Sequence, residues 1–168
     1  MTKKTLKKVA VGYVMYEAIM WIGICIYLKK HKIKEIEGVG IYKIPSSILN
    51  NVFRSRYACT TQLFTKPVIF IDNEFYEVCN NDECIADFII AHELAHIKLG
   101  HIKENIKILL SGKVPKRNIA HEIEADTYAC TKYPSVSIND VKRFFDSATC
   151  FIEPERIDNI NAMKEGEL

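Results

Sequence analysis

The sequence predicts an α+β fold in which helices dominate, a small sheet supports them, and a long apolar helix comes first. Three observations carry this expectation. The chain has 168 residues, 48% hydrophobic and 26% charged, the size and composition of one globular domain. Apolar residues recur at helical spacing through most of the second half, whereas the first half holds two short β-branched runs closed by turn residues. Finally, Val9 to Leu28 is an apolar run of 20 residues interrupted by one charge, Glu17. The chain divides accordingly into residues 1–32, the apolar N-terminal helix, and residues 33–168, the functional domain.

The N-terminal run is flanked by Lys7 and Lys8 on one side and Lys29, Lys30 and Lys32 on the other. About 20 apolar residues suffice to cross a bilayer. A carboxylate in mid-span costs roughly 2.5–3.5 kcal/mol on insertion scales. Length therefore favours a single membrane anchor and charge favours a helix packed on the domain. Both stay open, and with them the location of the protein, cytoplasmic or membrane-anchored.

The remaining elements follow from local chemistry. Gly38 to Ile44 reads as a strand ended by Pro45, with Ser46 or Ser47 capping a short helix through Phe53. Pro67 to Asp72 is a β-branched and aromatic run closed by an Asp72-Asn73 turn. Asn81 or Asp82 can cap a helix from Glu83 to His101 whose Ile85, Phe88, Ile89, His92 and His96 share one face. Further helices are expected over Ile102 to Leu110 and over Arg117 to Lys132, the latter stopped by Tyr133-Pro134. Ser137 or Asn139 opens a last one to Phe151. Beyond Pro154 the chain is polar and reads as a frayed tail.

Composition excludes several function classes. Lys and Arg number 23 against 21 Asp and Glu, a net charge of +2, so no nucleic-acid partner is expected. None of the six cysteines forms a C-x-x-C pair, which argues against a zinc finger or a redox motif.

The chemistry lies in His92-Glu93-Leu94-Ala95-His96, an H-E-x-x-H sequence on a helix predicted independently of it. Residues four apart stack on one helical face, so two imidazoles can hold one metal ion. Glu93, one residue on from His92, stands at the side of that face, where it can reach a metal-activated water as general base. By chance such a motif is expected roughly 0.01 times in a chain of this length and composition.

A catalytic zinc site takes three protein ligands and leaves a fourth position for water. Leu99 and Ile102 stand where the extended H-E-x-x-H-x-x-G-x-x-H pattern needs Gly and His, and His101 reads as a cap at the helix end beside Gly100. The better third ligand is Glu122. It shares a helical face with Asp126, and Ala125 and Ala129 let that helix approach closely. Asp126 can then accept a proton from the far nitrogen of a ligating histidine. Glu124 falls about 200° around the helix from Glu122 and should point away. His101, His121 and Tyr128 all remain candidates to stabilise an oxyanion.

At these residues the sequence resembles the gluzincin metallopeptidases, most closely the compact ImmA/IrrE type. The stretches concerned are Ile89 to His96 with Leu99-Gly100-His101, and Glu122-x-Glu124-Ala125-Asp126-x-x-Ala129, preceded by a strand like Val68 to Ile71. Membrane metallopeptidases of HtpX type carry a similar E-x-x-A-D stretch, and Asp126 leans towards them. The resemblance covers roughly Val39 to Lys132. It implies a minimal zincin domain, Zn2+ as cofactor, His92, His96 and Glu122 as ligands, Glu93 as general base, and a protein or peptide substrate. The Val68 to Ile71 strand is then expected to pair with an extended substrate at the sheet edge. The alternative is a catalytically silent zinc-containing binding or adaptor module.

Overall fold

The structure is a computed structural model that describes residues 22–53, 55, 57–63, 66–79, 83–112, 116–133, 137–147 and 152–163. A helix over residues 22–30 (α1) leads into strands β1 (Lys32–Ile36) and β2 (Val39–Ile44), a short helix α2 (Ser46–Ile48) and a π-helical turn over Leu49–Phe53. Strands β3 (Ala58–Leu63) and β4 (Lys66–Asp72) follow. Among the described residues six helices follow: α3 (Asn73–Cys79), α4 (Glu83–Lys98), α5 (His101–Leu110), α6 (Ile119–Lys132), α7 (Ile138–Ser147) and α8 (Pro154–Ala162). The fold is α+β, with a mixed four-stranded sheet in the order β1-β2-β4-β3.

Glu37 and Gly38, both at positive φ, form the two-residue turn that pairs β1 with β2 antiparallel. β2 and β4 run parallel, and β3 returns antiparallel to β4. Strand alternation sorts side chains between two cores. Ile41, Ala58, Ile69 and Ile71 face α4 and the C-terminal helices, while Ile44, Val68 and Phe70 face Leu28 of α1 and Leu49. A strand covered on both faces reads as a continuous apolar run, which is why β4 stood out in the sequence. Its position corrects one expectation, because β4 is interior and the sheet edges lie at β1 and β3.

Every residue of α4 from Phe88 to Ala95 is buried, since the sheet covers one side and α6 and α7 cover the others. Ala95, Ala125 and Ala129 are fully buried, so the small residues stand where α4 and α6 approach. Gly100, at φ +83, turns the chain straight from α4 into α5.

Two other expectations change. Asp72-Asn73 does not close a turn: the Asp72 carboxylate accepts a hydrogen bond from Phe75 N at 2.7 Å at the start of α3. The presumed frayed tail holds α8, with Pro154 in its first turn and Ile160 in the core.

Glu17 and residues 9–21 of the apolar run lie outside the described residues, as do Asn81, Asp82, Phe151 and Lys164 to Leu168. The described part of that run, in α1, buries Leu28 against the sheet and exposes Ile22 and Ile26. Among the described residues no helix is long and apolar enough to cross a membrane. Cys25, Cys59 and Cys130 are free thiols.

Candidate metal centre

α4 and α6 bring together the three residues nominated as ligands. Among the described residues, His92, His96 and Glu122 form a group that could hold a metal ion. Nε2 of His92 and Nε2 of His96 are 3.1 Å apart. Glu122 Oε2 stands 3.7 Å from the first and Oε1 3.6 Å from the second. Ligands about 2.0–2.1 Å from a tetrahedral ion are themselves separated by roughly 3.3 Å, so this donor set fits zinc in size and in chemical type.

Each donor is held from behind. Nδ1 of His92 donates to Asp126 Oδ1 at 2.7 Å, which leaves Nε2 with its lone pair towards the site. Asp126 has no exposed surface, and Arg156 of α8 clamps it by Nε to Oδ2 at 2.8 Å and Nη2 to Oδ1 at 2.9 Å. The third guanidinium nitrogen, Nη1, reaches Glu122 Oε2 at 3.0 Å, and Arg117 Nη2 adds a bond to the same oxygen at 3.1 Å. Two arginines thus occupy Oε2 and leave Oε1 towards His96. Arg117 also pairs with Glu153 at 2.6 Å.

These charges set the protonation states. Burial pushes His92 down, but the Asp126 carboxylate outweighs it and holds the imidazole above its ordinary value. His96, buried and beside His92, is lowered to about 3. Burial raises both acids of α6, yet Glu122 ends below its ordinary value through His92, Arg156, His96 and Arg117. Asp126 does so through His92 and Arg156. Glu93 is different. Burial pushes its carboxyl up, with His92 and Thr60 only partly opposing, which suits a group that must take and release a proton.

Glu93 lines a cavity of about 690 Å³ together with all three ligand residues. Thr60 of the edge strand β3 lies 2.5 Å from Glu93 Oε2 and 2.9 Å from the Glu93 carbonyl, so its hydroxyl can donate to either. Tyr57, Ala58 and Cys59 carry the β3 side of the cavity wall, and Asn118 and His121 part of the α6 side.

The structure moves one residue out of its expected role. His101 does not cap α4. It opens α5, is buried, and sets its Nδ1 2.8 Å from Nδ1 of His96. Its Nε2 lies 3.1 Å from Glu124 Oε2, and its ring stacks on His121 with centroids 4.0 Å apart. Glu124 indeed stands apart from the ligand group, but it is engaged. Both His101 nitrogens have protein partners, so His101 is poorly placed to stabilise an oxyanion. Tyr128 packs near Tyr133 and is not part of the cavity lining, whereas His121 is. His121 also pairs with Glu104 at 3.3 Å.

Sequence reasoning missed Thr60, Arg117 and Arg156. Arg156 had a signal: Pro154 followed by Ile157 and Ile160 is a helix start with an apolar stripe. Thr60 had only a weak one, the β-branched pair Thr60-Thr61. Burial pushes the Cys59 thiol up and holds Cys130 at about 12, so neither offers a ready thiolate ligand. Compared with known proteins, the chain matches no family model, no curated protein and no solved structure.

Proposed function

We propose that this chain is a zinc-dependent metallopeptidase, with His92, His96 and Glu122 holding the ion and Glu93 acting as general base. The observation that carries the reading is the convergence of His92 Nε2, His96 Nε2 and the Glu122 carboxylate, one donor atom from each within 4.8 Å of the others, on the cavity that Glu93 lines. Kinship with the ImmA/IrrE type rests on the motif residues alone.

Zinc held there supplies the electrophilic chemistry, acidifying water to a pKa of about 7 and polarising the scissile carbonyl. Glu93 takes the proton of the attacking water and delivers it to the leaving amine. Thr60 holds the Glu93 carboxylate at the cavity wall during that exchange. Strand β3, at one sheet edge and along a wall of the cavity, offers backbone N–H and C=O groups to an extended peptide. A purely structural zinc site usually closes its fourth position with Cys or His; among the described residues this group offers three donors, and the carboxylate beside it, Glu93, is buried.

The test is metal content together with cleavage of a peptide library by the full chain. About one zinc per chain is expected, retained in Glu93→Gln with cleavage reduced about 10²- to 10⁴-fold, and lost in Glu122→Ala. Zinc uptake with no cleavage of any peptide would favour the silent binding module. No zinc uptake would overturn the reading.

A further inference from the structure

The two histidines of the proposed centre are supported by different chemistry, and the support of His96 has a direction. Nδ1 of His96 and Nδ1 of His101 are 2.8 Å apart, a distance that holds one hydrogen. If His96 carries it, Nε2 of His96 keeps its lone pair for a metal. If His101 carries it, the neutral His96 has its hydrogen on Nε2. That hydrogen then donates to Nε2 of His92, 3.1 Å away, and fills the very position a metal needs.

Glu124 decides between the two. Its Oε2 lies 3.1 Å from Nε2 of His101, and a carboxylate only accepts. A neutral His101 therefore carries its hydrogen on Nε2 and presents Nδ1 as acceptor to His96. Stacking on His121 fixes the plane of the His101 ring, and a flip within that plane would put ring carbons where Nδ1 and Nε2 now meet His96 and Glu124. We infer that Glu124 and His101 form a positioning relay that selects the metal-binding tautomer of His96. Glu124 thus acts on the centre from an exposed site, through His101 and without touching the ligands. The inference rests on the metal-centre reading above but can fail separately from it.

The experiment uses the full chain labelled with 15N at histidine, free of zinc, and reads which ring nitrogen of each histidine bears hydrogen from long-range 1H–15N spectra. Hydrogen on Nδ1 of His96 and on Nε2 of His101 is expected; hydrogen on Nε2 of His96 would overturn the inference whether or not the chain takes up zinc. Zinc affinity is then compared in three variants by competition with a chelator. Glu124→Lys offers a donor to His101, reverses the relay and should weaken zinc binding about ten- to hundredfold. Glu124→Gln keeps an acceptor oxygen and should stay within about threefold of wild type. Glu104→Lys makes the same charge change beside His121 and controls for electrostatics. Equal losses in Glu124→Lys and Glu104→Lys, or no loss in the former, would reject the relay. Wild type without zinc uptake would sink the metal-centre reading while the spectra still decided the tautomer.

Discussion

His92 and His96 are the same residue type one turn apart on one helix, yet they are held in opposite ways. His92 stands on a buried ionic cluster in which Arg156 donates two hydrogen bonds to Asp126 and a third to Glu122. His96 stands on the His101 imidazole, whose other nitrogen meets the half-exposed Glu124 carboxylate. One support is rigid because its charges have nowhere else to go in a medium that penalises them unpaired. The other can be retuned from the surface. The difference teaches that equal ligands need not be equally replaceable.

The sharpest way to break the comparison is to remove the cation. Arg156→Met takes the guanidinium from buried Asp126, leaving it only the His92 imidazole, and should cost about 3–5 kcal/mol of stability in the zinc-free chain, measured by urea unfolding. A loss below about 1 kcal/mol would mean the ionic side is no firmer than the imidazole side. Asp126→Asn comes next. It retains an oxygen for Arg156 but weakens acceptance from His92 Nδ1, so zinc affinity should drop about ten- to hundredfold by chelator competition.

Acidity separates the two histidines by sign. His92 sits above its ordinary value, so below that raised value it holds a proton which zinc must displace. His96, at about 3, is neutral at any pH above that and has no second proton to lose. Zinc affinity should therefore fall about tenfold per pH unit on acidification below the His92 value, with one proton released per zinc and not two. The number of protons, counted by titration calorimetry in buffers of different ionisation enthalpy, checks this. In the zinc-free chain His96 works in the opposite sense to His92. Its depressed value adds stability at pH above about 6.5, the unfolded value, and that stability is lost as pH falls towards 3.

The smallest effect concerns the third side of the site, the sheet. Thr60→Val removes the hydroxyl that holds Glu93, and the proposed reaction should slow about tenfold with zinc content unchanged. An unchanged rate would leave Thr60 as packing only.

What could be read in advance is unevenly distributed. The helical pairs His92–His96 and Glu122–Asp126 obey a spacing set within one turn, so their shared faces follow from the chain alone. The small residues Ala125 and Ala129 likewise announced a close helix contact. The position of Thr60, the setting of His101 and the reach of Arg156 depend on segments 23 to 33 residues away, and no local pattern encodes which acceptor a side chain will meet.

By itself, then, the sequence determined the H-E-x-x-H helix, the acidic partner helix and the α+β class, because hydrogen-bonded periodicity ties residue type to direction over short distances. Only the tertiary structure decided that β4 is interior and β3 an edge, and that the supposed tail is a helix supplying the central cation. The structure alone also set His101 against His96 instead of at a helix cap. Those outcomes are choices among partners for buried polar groups, and the choice is made by desolvation and packing once the whole chain has closed around them.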